Sequence, residues 1–464
     1  MIVSRRHLLG AAAASVAFGG LARAQSATDT YRNEIEGYGP LKADPNGILD
    51  LPEGFSYRIV SYAGQAMNDG YVVPGRADGM ACFPLRGSKV ILMRNHENKH
   101  NHLNSGPFGI ALGLKKRPKP DKVFDVGPDG QPLPGGVTRL VYDTATGKLH
   151  KAELALAGTS TNCAGGPTPW GSWLSCEETV VGPREGLGKS HGWVFEVPAK
   201  DRGLVDPVPL TAMGRFNHEA AAIDPATGIV YLTEDAFDRA GLFYRFIPNT
   251  PGALALGGRL QALAFRDAPG ADARNWDGKV IWKPGDVRQA AWVDLADVEA
   301  PKDDLRVRGH ADGAVIVGRG EGIFWGKGEA WFTCTNSGPA KHGQILRYRP
   351  SPHEGKPEED QAPGTVELFI ESTDDKVMDY PDNLTVAPNG HLMVCDDRYS
   401  DTLKNHLRGV TPEGKVYTLA RNVYRDNAEL AGVCFSPDGG TMFLNIYWPG
   451  ITLAIQGPWE SLKT

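Results

Sequence analysis

From Leu51 onward the chain alternates short apolar runs with clusters of turn-forming residues, and helical periodicity is almost absent. Asp143-Thr-Ala-Thr-Gly147, Asp224-Pro-Ala-Thr-Gly228, Ala387-Pro-Asn-Gly390 and Ser436-Pro-Asp-Gly-Gly440 each stand between two apolar runs. Asp, Asn and Ser bond their own backbone, and Gly accepts a left-handed conformation, so each reads as a hairpin turn. Three units align. Glu219-Ala-Ala-Ala-Ile-Asp-Pro leads into Ile229 to Asp235, Asp382-Asn-Leu-Thr-Val-Ala-Pro into His391 to Asp397, and Leu430-Ala-Gly-Val-Cys-Phe-Ser-Pro into Thr441 to Tyr447. A looser fourth copy runs from Glu321 through Gly326-Lys-Gly into Glu329 to Asn336.

Repeated antiparallel hairpins without helices to cover a sheet predict an all-β fold, a β-propeller of five or six blades, with six preferred. Separate β-sandwiches would need a linker, and no such stretch divides residues 51–464, which are expected to form a single propeller domain. Residues 111–135 and 350–364 are rich in Pro, Lys and Asp and read as surface excursions, and residues 25–50 as an irregular N-terminal arm.

The first 24 residues have a different character. Ser4-Arg5-Arg6-His7-Leu8-Leu9 precedes an Ala/Gly-rich apolar run that closes on Ala22-Arg23-Ala24. A run too short to span a membrane, ending at a small-x-small site, reads as a cleaved segment of the twin-arginine export type. The expected partner is the twin-arginine export machinery, and the expected destination is the periplasm or the extracellular space, with no stable membrane insertion. Removing Arg5, Arg6 and Arg23 moves the formal charge from −6 to −9. That acidity argues against nucleic acid, whose phosphates demand clustered cations.

Chemistry is expected where the hairpins converge. In a propeller, equivalent strand ends meet at one axis however far apart they lie in sequence. Asn95-His96-Glu97, His218-Glu219, Glu321 and Asp382-Asn383 are read at the start of first strands. Glu177-Glu178, Glu234-Asp235, Asn336 and Asp396-Asp397 end the strands that follow. So many carboxylates around one channel would repel one another unless cations bind among them. Carboxylate and amide oxygens suit calcium. Five cysteines, Cys82, Cys176, Cys334, Cys395 and Cys434, lie in apolar runs and read as buried free thiols. Cys163, in the Gly-flanked Thr161-Asn-Cys-Ala-Gly-Gly166, reads as a loop thiolate that would select iron or zinc. His96 and His218 are open to either ligation or a supporting role.

The sequence resembles the PhoX-type alkaline phosphatases over nearly all of the mature chain. The resemblance is carried by Leu51-Pro-Glu-Gly-Phe55, Asn95-His96-Glu97 and the long stretch from Asn162-Cys163 through Trp170-Gly-Ser-Trp to Glu177-Glu178. Gly214-Arg-Phe-Asn-His218-Glu219, Asp382-Asn383-Leu, Ala431 to Asp438 and Pro449 to Trp459 add to it. It implies a six-bladed propeller with ferric iron and calcium in its central opening, hydrolysing small phosphate esters. Cys163 and Glu219 would then bind iron, Glu321 would join the cluster, and Arg319 would grip phosphate. Glu178, Asp235, Asp397 and Glu97 would fill further calcium or iron positions. Two departures stand out: the family's Arg-Pro-Glu reads Arg319-Gly320-Glu321 here, which should aim the guanidinium less rigidly, and the chain is shorter than the well-known phosphatases.

Clustered cations would polarise the phosphoryl group and activate a bound water, so a metal-bound oxygen is the expected nucleophile. Two other functions fit an acidic propeller: a calcium-dependent lactonase or esterase, which needs no thiolate, and a non-catalytic binding propeller stiffened by calcium. Iron is best selected under reducing conditions before export, whereas calcium can join afterwards. Elemental analysis of natively exported protein is therefore expected to find iron together with a larger amount of calcium.

Overall fold

The computed structural model describes residues 30–463, apart from 238–239, 401–402 and 426. The paired-arginine segment, residues 1–24, lies outside the described residues, as does the start of the expected arm. The regular structure described is mostly strand, with one α-helix at Leu305–Ala311 and short 3-10 turns.

Six hairpins organise the chain. In order they pair Ala77–Pro84 with Lys89–His96, Asn162–Pro167 with Ser172–Glu177, and His218–Ile223 with Val230–Glu234. They continue with Gly320–Gly326 and Glu329–Cys334, Pro381–Val386 and Leu392–Asp396, and Leu430–Phe435 and Met442–Ile446. The aligned units of the sequence are four of these six. Further antiparallel strands extend each hairpin outward, and Val287–Asp294 pairs with both neighbours to join the third and fourth into one nine-stranded sheet. The arrangement is propeller-like and closes on itself. Ser56–Tyr62, near the N-terminus, pairs with Ile451–Gln456 and completes the sheet of the sixth hairpin.

The first strands of the hairpins touch one another around the axis, and only small residues permit this approach. A Cβ on Gly79 of the first hairpin would lie 2.4 Å from Ala164 Cα of the second. One on Gly432 of the sixth would lie 2.3 Å from the Asp78 carbonyl of the first. Farther out, aromatic rings fill the space between sheets, as where Phe243 of the third sheet unit stacks on Phe332 of the fourth at 4.3 Å.

Two expectations change. The arm is not irregular throughout: Leu41–Lys42 and Leu49–Pro52 pair with each other, and the latter extends the fifth sheet beside Val416–Asn422. The boundary expected at residue 51 falls inside that strand. The 350–364 stretch is not a simple surface excursion either. Its Glu354 is buried, accepting hydrogen bonds from Tyr231 and Tyr348 and an ion pair from Arg245 at 2.6 Å, while Glu359 takes the other side of the same guanidinium. Polar composition marked the segment as exposed, but a buried arginine on Phe243–Pro248, elsewhere in the nine-stranded sheet, supplied the partner. Replacing Arg245 with Ala leaves Glu354 buried without its cation. It should cost about 3–5 kcal/mol, measurable as a lower urea midpoint.

Candidate metal centre

Each hairpin carries the same irregularity. Pairing slips by one residue near the start of the first strand, leaving two residues between the flanking pairs. In chain order these are Asp78-Gly79, Cys163-Ala164, Glu219-Ala220, Glu321-Gly322, Asp382-Asn383 and Gly432-Val433. A bulge re-aims a side chain out of the pleat, here toward the axis. Five of the six leading residues are metal-ligand types, and the sixth is the glycine that lets its neighbour approach.

The second strands supply another set by simple alternation. Successive side chains point to opposite faces, so each terminal acidic pair is split. Glu177 turns outward to His191 Nδ1 at 2.7 Å, Glu234 to Arg306 at 3.5 Å, and Asp396 to Arg408 at 2.8 Å. Burial alone would lower the His191 pKa, but Glu177 and Asp125 together raise it to about 9. The next residues, Glu178, Asp235 and Asp397, face the centre. Backbone bonds repeat the geometry: the N–H groups of Glu97, Glu178, Thr335, Asp397 and Tyr447 donate to the carbonyls of Arg76, Thr161, Arg319, Tyr380 and Glu429. Arg76, Thr161, Arg319 and Tyr380 all have φ between 45° and 54°, an unusual backbone state for residues with side chains.

Three groups of ligand atoms result, each with all its atoms within 4.8 Å of one another: Cys163, Glu178 and Glu219; Asp78, Glu97 and Glu429; Glu219, Glu321 and Asp382. Glu219 belongs to two of them, and the Cys163 thiol lies 3.5 Å from Asp78 Oδ2, linking the third. Burial, followed by the neighbouring negative charges, pushes Asp78, Glu219 and the Cys163 thiol well above their ordinary values. Glu97 and Asp382 are raised to about 7, again chiefly by burial. Both Glu219 oxygens, Asp78 Oδ1 and Asp397 Oδ1 are buried without a hydrogen-bond partner. Polar atoms orphaned in this way are costly unless something binds them. Carboxylates crowded together with a thiol are the donor set that cations fit.

Arg319 stands at the edge of this cluster. Its Nε and Nη2 donate to Asp235 Oδ2 at 3.1 and 2.9 Å, and Nη2 lies 2.8 Å from Glu321 Oε1 without hydrogen-bond geometry. These contacts hold its pKa well above the ordinary arginine value against the opposing effect of burial. Nη1 has no hydrogen bond to any described residue. The looseness expected from Gly320 in place of proline is absent, because Asp235 clamps the guanidinium directly.

The structure therefore brings Cys163, Glu178, Glu219, Glu321 and Glu97 into ligand groups and places Arg319 beside them. It does not put Asp235 or Asp397 in a group among the described residues: Asp235 is engaged by Arg319, and Asp397 stands next to Glu429. Cys163 is no loop thiolate, since it is buried within Asn162–Pro167. Its Gly-rich surroundings reflect tight strand packing. Glu97 does not start a first strand but follows the end of a second one. His96 has both nitrogens occupied, by the Gly75 carbonyl and Thr138 Oγ1, so it supports the backbone. His218 stacks on Phe216 and bonds the Gly214 carbonyl through Nε2, leaving Nδ1 buried and unpartnered. Sequence reading noted Asp382 as a central acid without assigning it a ligand role, and missed Asp78 and Glu429. Arg76-Ala-Asp78-Gly79 repeats the Arg-x-acid-Gly of Arg319 to Gly322 and could have revealed the first. No local pattern marks Glu429.

The alkaline phosphatase PhoX family matches this chain over residues 36–140 and 137–450. The chain belongs to that family. Membership makes it a phosphoric ester hydrolase with a metal-dependent mechanism. No curated protein matches. Among solved structures, Pseudomonas fluorescens PhoX in complex with vanadate, a transition state analogue, shares 19% identity and has a TM-score of 0.67, over 92% of this chain and 98% of that one. At that identity the likeness establishes the fold. A gluconolactonase from Xanthomonas campestris reaches a TM-score of only 0.40 at 11% identity, over 92% of this chain and 100% of its own, too distant to carry an argument.

Protons and cations compete for these acids, which fixes the sign of a pH effect. Glu97 and Asp382 rise from 4.5 and 3.8 to about 7, so without cations the folded state holds more protons than the unfolded state between those values. Stability then falls as pH rises through that window. Chelated protein should melt at a lower temperature at pH 8 than at pH 5.5. Added calcium should restore more of the loss at pH 8, where fewer protons must leave; melting curves at the two pH values check both statements.

Proposed function

We propose that this chain is an exported phosphatase, built as a six-bladed propeller, that hydrolyses small phosphate esters at an iron and calcium cluster on its axis. The observation that carries the reading is Glu219: both its buried oxygens lack partners, and it bridges a group containing a thiol and a group made only of carboxylates. Six bulged hairpins touching in turn around one axis support the blade count, and the PhoX family supports the reaction.

Cys163, Glu178 and Glu219 would hold ferric iron, since a thiolate favours a transition metal over calcium. The all-oxygen groups, Glu219 with Glu321 and Asp382, and Asp78 with Glu97 and Glu429, would hold further cations, with calcium suited to carboxylate cages. When bound, these ions supply Lewis acidity toward the phosphoryl oxygens and lower the pKa of coordinated water. Arg319 offers its unengaged Nη1 to a phosphate oxygen, and Asp235 holds the guanidinium plane in place as it does so. Tyr447 donates to Glu97 and orients that carboxylate. A lactonase would need no buried thiol among its acids.

The export reading rests on residues 4–24, which imply the twin-arginine route and a periplasmic or extracellular destination. Among the described residues no helix is long and apolar enough to cross a membrane, which says nothing of β-barrels.

Cys163→Ala is expected to lose iron and phosphatase activity together, and full turnover in an iron-free variant would overturn the assignment. Arg319→Lys, which retains charge but loses planar two-point geometry, should lower kcat/KM for 4-nitrophenyl phosphate by about 100-fold while metal content stays unchanged.

A further inference from the structure

Isolated exposed hydrophobic side chains are ordinary on a protein surface. Phe237 and Tyr399 differ because each, while 50% and 74% exposed, touches a group of the metal centre. Phe237 lies two residues after Asp235, and Tyr399 lies two residues after Asp397. These are equivalent places in the third and fifth hairpins, on either side of the hairpin that carries Arg319. The same offset gives Lys99, Val180 and Ser337 in the first, second and fourth hairpins; in the sixth, counted from the bulge, it gives Trp448, whose ring packs against Arg76.

Both rings are tied to the site. Phe237 has φ of 51°, a strained state for a bulky residue, and its N–H donates to Asp235 Oδ1 at 2.6 Å. The ring centroid lies 5.5 Å from Arg319 Cζ. On the other flank, the Tyr399 hydroxyl donates to Glu429 Oε2 at 2.8 Å, leaving most of the ring in solvent. Phe237 thus flanks Arg319, while Tyr399 flanks the carboxylates of Glu429, Asp397 and Glu97. A phosphate held on the Arg319 guanidinium would leave the alcohol part of the ester beside Phe237, and an alcohol part reaching over the Glu429 group would meet Tyr399. At either ring a planar apolar group would be drawn out of water.

We propose that Phe237 and Tyr399 are specificity-determining residues that bind the alcohol part of the substrate and favour phosphate esters carrying a planar aromatic ring. The proposal rests on the phosphatase reading above.

The test compares kcat/KM for phenyl phosphate and glycerol 2-phosphate in the metal-loaded wild type, Phe237→Ala, Tyr399→Ala and Tyr399→Phe, alongside inhibition by inorganic phosphate. Each alanine variant is expected to lose about tenfold on phenyl phosphate, and less than about twofold on glycerol 2-phosphate. The inhibition constant for inorganic phosphate should not change. Tyr399→Phe keeps the ring and should keep the wild-type preference between the esters. Equal losses on both esters, with weaker phosphate inhibition, would mean that the rings only position Arg319 and Glu429, and would overturn the proposal. So would unchanged kinetics in both alanine variants. A metal-loaded wild type that releases phosphate from neither ester would overturn the phosphatase reading and this proposal with it. Phosphate release without a change of preference overturns the proposal alone.

Discussion

Carboxylates forced together away from water must either keep their protons or share cations, and the rest of this structure is arranged around that choice. Asp78, Glu97, Glu178, Glu219, Glu321, Asp382 and Glu429 converge on one axis with Cys163 among them. For Asp78, Glu97, Glu178, Glu219, Glu321 and Asp382, burial and then mutual repulsion penalise the ionised forms. A chain that retained such an arrangement only for stability would do better with apolar residues of similar size. The cluster therefore makes physical sense as a place for cations, and its cost is met by the closed frame around it.

That frame depends on a single device used six times. A bulge at the start of each first strand turns one residue inward, a potential ligand in five hairpins and Gly432 in the sixth, and the closure of Ser56–Tyr62 onto Ile451–Gln456 keeps the strands from spreading. Glycines where first strands meet let the backbone come near enough for ligand atoms from different hairpins to lie within a few ångströms. The same strands sort their terminal acids by alternation. Glu177, Glu234 and Asp396 go outward to His191, Arg306 and Arg408, while Glu178, Asp235 and Asp397 go inward. The outward pairs anchor the strand ends, and the inward residues are placed as a consequence.

Arg319 shows how the two sets cooperate. Just before a bulge it shares the left-handed backbone state of Arg76, Thr161 and Tyr380, and Asp235 from the neighbouring hairpin fixes its side chain. Gly320 beside Arg319 offers no backbone rigidity, and the Asp235 clamp does the aiming. Phe237 extends the same arrangement, since Asp235 also accepts its backbone N–H.

The hairpins, the propeller-like class and most of the central acids were legible in the sequence because they rest on local rules. Turn residues mark chain reversals, apolar alternation marks strands, and acids recurring at one place in a repeat must share an axis. Glu97 was assigned to the wrong strand end because hydropathy does not number strands. Asp78 escaped notice although Arg76-Ala-Asp-Gly repeats the pattern at Arg319. Glu429 could not be found locally at all, and the burial of Cys163 contradicted its loop-like glycines. Only the tertiary structure decided which acids lie close enough together to share a cation, that Asp235 holds Arg319, and that Glu354 is buried beneath Arg245. These facts depend on distances between residues from different hairpins, and bulge register and ring closure fix those distances without leaving a local trace in composition or period.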